Sequence, residues 1–203
     1  MTEKYFDKAY GLDSQEKVDK LYKDWADSYD EEVCGYGYAS PARCAEALKN
    51  FLPLDAPILD FGCGTGLSGV ALQNEGFLTI DGTELVDQMR EKAAARGIYR
   101  QLFEGDIDDP FPFPLGTYAA ITAVGVISSG AGPASLLDIA LEELSPNGLL
   151  CFSYNDHTLE DVSYTDALQA ATSSGKAEMI FEEYGDHLPQ RGVKSMVYIL
   201  KRL

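Results

Sequence analysis

Basic side chains are scarce in this sequence. Sixteen Lys and Arg residues stand against 33 Asp and Glu residues, which gives a formal net charge of −17 at pH 7. A protein that grips nucleic acid needs a basic face to displace counterions from the phosphates, and no basic run is present. The composition therefore disfavours DNA or RNA as a partner. We attribute the acidity to solubility or to a saline habitat, and it does not identify a substrate.

Cysteine, histidine and long apolar runs are also limited. The four cysteines lack C-x-x-C spacing and the two histidines are too few for an evident metal cluster, so we predict no metal site. The N-terminus has no apolar run typical of a secretory signal, and no later stretch is long enough to span a membrane. These absences predict a reduced, cytoplasmic protein with no membrane partner.

One stretch organises the chain: residues 58–69, Ile-Leu-Asp-Phe-Gly-Cys-Gly-Thr-Gly-Leu-Ser-Gly. Apolar residues lead to an acid, and glycines then alternate with small residues, as in a buried strand that turns through a glycine loop into a helix. Glycine takes positive φ easily and lets a ligand approach the bare backbone. The helix that follows aims unpaired N–H groups and its positive dipole end at the loop. The stretch therefore predicts a nucleotide-type cofactor site.

Two cofactor classes compete for this site. Residues 64–69 fit the dinucleotide pattern G-x-G-x-x-G, and Glu84 follows where a ribose-binding acid is expected, which would indicate an NAD(P)-dependent oxidoreductase. Against this, the glycines begin earlier, at Gly62, as G-x-G-x-G. Asp60 also ends the strand just before them, where its charge would repel a pyrophosphate. The same acid would favour a cationic ligand, directly or through a water or backbone amide.

The glycine motif resembles that of a known enzyme family. Residues 60–66, Asp-Phe-Gly-Cys-Gly-Thr-Gly, are similar to the first motif of class I S-adenosylmethionine-dependent methyltransferases. With Tyr-x-x-Trp-Ala-x-x-Tyr-Asp at 22–30 and Arg-Gly-Ile-Tyr at 96–99, the chain resembles the Williams–Beuren syndrome chromosome region methyltransferase-like group. The resemblance implies S-adenosylmethionine as cofactor, S-adenosylhomocysteine as product and, given the charge, a small-molecule methyl acceptor. A non-catalytic S-adenosylmethionine-binding protein, acting as a sensor or partner subunit, is the alternative.

The resemblance also assigns cofactor contacts residue by residue. Glu84 is expected to bind both ribose hydroxyls, because one carboxylate matches two adjacent hydroxyls, and Leu85 would lie flat against the adenine. Asp81 competes with Glu84, although strand alternation places it on a different face, and Glu84 could instead cap a helix. Within the glycine motif the implied contacts are Asp60, Gly62, Cys63, Gly64 and Gly66.

Four further contacts follow from the same resemblance. Asp106 would accept the adenine amino group, and Ile107 would contribute a backbone N–H. Val124 ends the fourth predicted strand, which in this family faces the transferable methyl group. Tyr29, in the segment before the first strand, would line the methionine end of the cofactor, or would simply pack the helix against the core.

His157 is the one plausible neutral-pH base that the sequence places near the site. It follows the fifth predicted strand, at the carboxyl edge where open α/β sheets bind ligands. Asp156 or Thr158 in the same tetrad could instead cap a helix. Ser128 and Ser129 stand where many family members carry acidic, asparagine or aromatic residues. The sequence thus offers His157 as the candidate catalytic residue.

The predicted fold class is α/β: a doubly wound, Rossmann-like seven-stranded sheet, mostly parallel with a C-terminal antiparallel hairpin. We expect a single domain over residues 1–203, with an N-terminal helical cap segment (1–52) and a Rossmann-like core (53–203). Apolar spacing predicts one helix from Asp13 or Ser14 to about residue 33, and another after the fifth strand to about 172. The third strand is predicted at 98–103 and the hairpin at 178–184 and 193–200.

Overall fold

A computed structural model describes residues 5–8, 12 and 14–203 of the chain. Seven strands form one sheet in the order 3-2-1-4-5-7-6. The first five strands run parallel, and the seventh runs antiparallel to both the fifth and the sixth. The predicted fold class is confirmed. The strands are β1 (Ile58–Phe61), β2 (Ile80–Glu84), β3 (Leu102–Glu104), β4 (Ala120–Ala123), β5 (Leu149–Asn155), β6 (Ala177–Leu188) and β7 (Val193–Arg202).

Helices cover both faces of the sheet, and a 3₁₀ turn (Pro189–Arg191) joins β6 to β7. In the part of the chain that the structure describes, no helix is long and apolar enough to cross a membrane. The helices are α1 (Tyr5–Lys8), α2 (Gln15–Trp25), α3 (Tyr29–Gly35), α4 (Ser40–Lys49), α5 (Leu67–Asn74), α6 (Asp87–Ala95), α7 (Leu136–Glu142), α8 (Asp156–Glu160) and α9 (Val162–Ser173).

Successive residues of the central strands are buried on opposite faces of the sheet. Ile58 of β1 packs in a cluster with α4 and α5, whereas Leu59 packs in a cluster with α7 and α9. Every residue of β2, β4 and β5 is buried, as expected of strands covered on both sides. β1 pairs with β2 on one side and β4 on the other. The strand order reverses at β1, and open α/β sheets bind ligands in the crevice outside the carboxyl ends of the strands at such a point.

Both long predicted helices are broken in two. The first ends at Trp25 and restarts at Tyr29, and the two rings then meet edge to face at 4.7 Å. Asp13, one of its predicted caps, lies outside the described residues, and Ser14 is the N-cap of α2. The second breaks at Asp161, whose carboxylate accepts the Ser163 N–H at 2.9 Å and so begins α9. Ring packing determines the first break and helix capping the second. The helical spacing of apolar residues continues across both breaks.

The third strand also differs from its predicted bounds, and β2 ends on Glu84. β3 spans only Leu102–Glu104, because Tyr99 leaves the strand path and donates its hydroxyl to Asp60 at 2.7 Å. This tyrosine therefore helps to position the strand that leads into the glycine loop.

The N-terminal helices pack their aromatic side chains on one another and on the terminal hairpin. Trp25 is 2% exposed and donates its indole N–H to Glu32 at 3.1 Å, so it is part of the core. The predicted boundary between cap and core at residue 52 stays a prediction. The buried members of this cluster are Phe6, Trp25, Val33, Tyr36 and Leu188.

Candidate functional site

A cavity of about 280 Å³ lies at the carboxyl ends of the parallel strands. Its walls come from the glycine loop after β1, the ends of β2 and β4, the loop after β3, the start of α7 and the N-terminal helices. Its place is typical of small-molecule sites in open α/β sheets. The predicted site residues that line it are Tyr29, Gly62, Cys63, Gly64, Glu84, Leu85, Asp106, Ile107 and Val124.

The glycine loop adopts backbone angles that favour glycine. Gly62, Gly64 and Gly66 have φ of 62°, 57° and 90°. A Cβ on Gly62 would also lie 2.7 Å from a methyl group of Val126. Gly66 is the N-cap of α5 and does not line the cavity, and a Cβ there would meet the Arg96 side chain at 2.9 Å. Gly62 and Gly64 thus present backbone to a ligand, whereas Gly66 serves the turn and the packing of Arg96.

Glu84 is fixed at the cavity wall by the backbone. Its two carboxylate oxygens accept the N–H groups of Gly64 and Val86, each at 2.8 Å. Burial raises the pKa of the Glu84 carboxyl, and the N–H groups of Val86 and Gly64 oppose that effect. Each oxygen keeps lone-pair capacity for a hydroxyl donor. The competing candidate, Asp81, does not line the cavity and pairs instead with Arg100 at 2.5 Å.

The structure does not bring Asp60 to the cavity. Asp60 is 1% exposed, and its carboxylate accepts hydroxyl protons from Ser68 at 2.6 Å, Tyr99 at 2.7 Å and Thr122 at 3.0 Å. Burial raises its pKa, and the three hydroxyls oppose the rise. A direct cofactor contact is therefore not supported, because the acid ends a buried strand and is occupied by donors from three other segments.

The last glycine of the dinucleotide pattern has a packing role. A Cβ on Gly69 would overlap the Tyr99 hydroxyl, and one on Gly82 would lie 3.0 Å from the Tyr99 ring. Gly69 therefore gives Tyr99 room to reach Asp60. The G-x-G-x-x-G spacing at residues 64–69 follows from this contact and does not require a pyrophosphate.

The charge of the cavity wall separates the two cofactor classes. Asp19, Glu84 and Asp106 line the cavity, and among the described residues no Lys, Arg or His does. Carboxylates that are partly removed from water attract a cation and repel a diphosphate more strongly than exposed ones do. The wall is thus electrostatically suited to a positively charged ligand.

An ion-paired cluster fastens α3 to the glycine loop. The Asp30 carboxylate accepts the Thr65 hydroxyl proton at 2.5 Å and pairs with the Arg96 guanidinium. Arg96 also donates its Nε–H to the Thr65 carbonyl at 2.5 Å. Tyr29, next in sequence to Asp30, is thereby held at the cavity wall. This cluster could not be read from the sequence, although Asp30, Thr65 and Arg96 each lie in one of the three motifs behind the family resemblance.

The predicted base, His157, lies outside the cavity. Asn155 caps α8 by accepting the Thr158 N–H at 3.0 Å, and this turn leaves His157 exposed. The alternative prediction was that this segment caps a helix, with Asp156 or Thr158 as the cap. The segment does cap α8, but the capping residue is Asn155. Ser128 and Ser129 line a second, smaller cavity. A catalytic role for His157 is therefore not supported by its position.

Several lining residues were not predicted. Tyr22 and Met89 lie on the inner faces of α2 and α6, where helical spacing of apolar residues could have identified them. Tyr38 lines the cavity from the glycine-rich turn before α4, a loop whose glycine-spaced tyrosines fit either a lid over the site or an ordinary exposed loop. That contact depends on how the N-terminal helices fold back over the sheet, which no local pattern specifies.

Comparisons with known proteins agree with this geometry. A family model described as "Methyltransferase domain" matches residues 36–194. Methyltransferase-like protein 27 of Homo sapiens is 32% identical over 166 residues, which are 80% of this chain and 67% of that protein. An 18S rRNA (guanine-N(7))-methyltransferase of Bos taurus is 35% identical over 78 residues, 37% of this chain and 27% of that protein.

Solved structures give the same fold. A SAM-dependent methyltransferase of Thermotoga maritima, described as a possible histamine N-methyltransferase, has a TM-score of 0.64 at 20% identity. The match covers 91% of this chain and 99% of that chain. At this identity the likeness supports the fold.

Proposed function

Since the chain belongs to the S-adenosylmethionine-dependent methyltransferase family, we propose that it transfers a methyl group in line to a small-molecule acceptor. The predicted similarity to the Williams–Beuren group is confirmed by the human relative. When bound, S-adenosylmethionine supplies a methyl group that is already activated on a sulfonium sulfur. The protein has mainly to bind, align and desolvate the reactants.

The residues present fit this cofactor. Glu84 would hold the ribose hydroxyls, Leu85 the adenine face and Asp106 the adenine amino group, and all three line one cavity. The Tyr29 ring would attract the sulfonium charge, a cation–π contact worth about 0.5–2 kcal/mol. The observation that carries the proposal is the wall of carboxylates without a cationic side chain among the described residues.

Catalysis then rests on alignment. Holding two reactants in line contributes roughly 7–11 kcal/mol to lowering a barrier. The ion-paired cluster of Asp30, Thr65 and Arg96 supports this role, because it fixes Tyr29 against the glycine loop. A dedicated general base is required only where the nucleophile starts protonated, so the exposed position of His157 does not argue against methyl transfer.

A small molecule is the acceptor that the charge supports. The bovine relative's name specifies 18S rRNA, which a protein binds through a basic surface. This chain carries a net charge of −17. We therefore place the acceptor among small molecules and not among nucleic acids.

Calorimetry with S-adenosylmethionine, S-adenosylhomocysteine and NADH tests the cofactor. We expect micromolar binding of the first two and none of NADH, and no heat at saturating S-adenosylmethionine would refute the proposal. Transfer is tested by incubating the protein and methyl-labelled cofactor with a small-molecule extract and, separately, with total RNA. Label in small molecules is expected. Label confined to RNA would overturn the acceptor class, and binding without label in either would indicate the non-catalytic alternative.

A further inference from the structure

A second cavity, of about 60 Å³, continues the first one away from the predicted adenosine contacts. The two share Tyr22, Tyr29, Tyr38 and Gly125 as lining residues. Glu84 and the loop after β3 lie on one side of β1, whereas β4 and β5 lie on the other. A cofactor whose ribose is held at Glu84 therefore directs its sulfur towards this second cavity, which we call the aromatic chamber.

The aromatic chamber has a wall rich in aromatic rings and without charged side chains among the described residues. Besides aromatic rings from the N-terminal helices and the turn before α4, its lining comes from the loop after β4 and the ends of β5 and β6. Within the described residues, no Asp, Glu, Lys or Arg lines it. Of the two serines at its wall, Ser128 is already engaged, since its hydroxyl donates to the Gly125 carbonyl at 3.1 Å. A ligand that carries a permanent charge would find no counter-charge there, which makes its burial costly.

His187, near the end of β6, is a polar residue of the wall with a ring nitrogen that no described residue hydrogen-bonds. It is 6% exposed, and its Nδ1 lies 2.7 Å from the Ser40 hydroxyl. Across the described residues its Nε2 makes no hydrogen bond. Its ring meets the Tyr38 ring edge to face at 5.2 Å. A ring nitrogen without a protein partner, on a largely buried side chain that lines a cavity, is available to hydrogen-bond a ligand.

A chain of hydrogen bonds determines which His187 nitrogen carries the proton. Arg43, which can only donate, gives an N–H to the Ser195 hydroxyl at 3.1 Å. The Ser195 hydroxyl lies 2.9 Å from that of Ser40 and has no other acceptor among the described residues, so it donates to Ser40. Ser40 in turn donates to Nδ1 of His187. Nδ1 is therefore an acceptor, and Nε2 carries the ring proton.

Burial lowers the pKa of His187 to about 4, with Arg43 and His157 acting in the same direction and Asp156 opposing them. The imidazole is therefore neutral at physiological pH. It is a weak base there and an intact N–H donor.

We propose that the aromatic chamber binds the methyl acceptor, and that the Nε2–H of His187 donates a hydrogen bond to a hydroxyl oxygen of a small phenol. The proposal rests on the proposed function and specifies its substrate class. An oxygen has two lone pairs, so one can accept from His187 while the other attacks the methyl carbon. An amine nitrogen has a single lone pair, and a hydrogen bond to it would block the attack.

The transfer is balanced without a further reactant. The acceptor oxygen forms a bond to the methyl carbon, the electron pair of the broken carbon–sulfur bond stays on sulfur, and the hydroxyl proton passes to water. His187 stabilises the negative charge on the oxygen by donation and does not itself change protonation. Its role is that of a preorganised hydrogen-bond donor.

The chain has only two histidines, so nitrogen–proton correlation spectra of the imidazoles resolve both. The protein saturated with S-adenosylhomocysteine is titrated with 4-methylphenol and, in parallel, with 4-methylaniline of the same shape. We expect His187 to show the Nε2–H tautomer and to shift with 4-methylphenol, while His157 stays in place. An Nδ1–H tautomer, or no shift of His187 at millimolar 4-methylphenol, would overturn the proposal.

Variants provide the second measurement. His187→Phe keeps a ring and removes both nitrogens, and we expect it to weaken 4-methylphenol binding by about tenfold, the effect of one hydrogen bond. S-adenosylhomocysteine affinity should be unchanged, and the matched control His157→Phe should alter neither. Equal 4-methylphenol affinity in both variants contradicts the proposal. Loss of S-adenosylhomocysteine binding by the unmodified protein contradicts the proposed function instead. Should His187→Phe fail to fold, the spectra of the unmodified protein decide.

Discussion

His187 makes the stability of the protein depend on pH in a way that can be calculated. The folded protein keeps this imidazole neutral until about pH 4, whereas an unperturbed histidine takes up its proton near 6.5. As the pH falls through this interval, the unfolded chain binds a proton that the folded protein excludes. The contribution of His187 to the free energy of unfolding is therefore fully present above about pH 6.5, and it decreases as the pH falls towards 4. This difference in pKa corresponds to a loss of about 3 kcal/mol in the free energy of unfolding.

The surroundings of His187 set that magnitude. Burial is the largest cause of the lowered pKa, the Arg43 guanidinium and His157 add to it, and the Asp156 carboxylate opposes it. Ser40 contacts the ring without titrating. Removing the Asp156 charge should therefore lower the pKa of His187 further and extend the loss of stability to lower pH.

Two other buried acids affect stability with the opposite sign as the pH falls. Burial raises the pKa of Asp60 and of Glu84, so the folded protein takes up their protons before the unfolded chain does. Lowering the pH through their folded pKa values therefore favours folding. These contributions are common to the unmodified protein and to a His187→Phe variant, and they cancel in the difference between the two.

The assay is urea unfolding of the unmodified protein and of His187→Phe at several pH values between 7 and 4. We expect the difference in unfolding free energy to shift by about 3 kcal/mol in favour of the variant across this range. The matched variant His157→Phe, at an exposed position outside both cavities, is the control for the loss of a histidine. A difference that does not change with pH, or a His187 resonance that titrates near 6.5 in the folded protein, would refute the reasoning.

Three further outcomes are expected. Glu84→Gln should weaken S-adenosylhomocysteine binding about 10- to 100-fold in calorimetry, through loss of charge-assisted hydrogen bonds. Its exposed register partner Glu104→Gln should not, and equal effects would move the ribose contact elsewhere. Gly69→Ala should lower the free energy of unfolding by about 1–3 kcal/mol through overlap with the Tyr99 hydroxyl, less so in a Tyr99→Phe background; an equal cost in both backgrounds would exclude that overlap. Asp30→Asn, at a half-exposed ion pair, should speed cofactor dissociation in stopped flow by tenfold or less, and an unchanged rate would show that the pair does not hold the site closed.

The sheet could be predicted because each of its strands has a local sequence signal. Apolar runs that end in turn residues identified β1 and β5, and the absence of a helix between β6 and β7 identified the hairpin. The helix breaks at 26–28 and at Asp161 could not be read in the same way. An apolar period continues across both points, and the break depends on the contact of Trp25 with Tyr29 and on a cap.

In the candidate site, too, the residues with a local sequence signal were predicted and those that depend on remote partners were not. Glu84, Leu85 and the glycines were found because the motif fixes their spacing along one βαβ unit. His187 was missed because its partners come from remote positions: Ser40 lies 147 residues before it. His157 was chosen in its place because it follows a strand end, where function usually concentrates, but a helix cap turns it outward. A lone histidine can be weighed only when its neighbours in space are known.

The terminal hairpin has a consequence for how this enzyme could change during evolution. The predicted adenosine contacts lie in the glycine loop, at the end of β2 and in the loop after β3, whereas the end of β6 supplies His187 and Leu188 to the aromatic chamber. The hydrogen bond proposed for the acceptor is thus encoded far along the gene from the contacts to adenosine. Substitutions at the end of β6 would change the acceptor that is bound while the adenosine contacts stay in place.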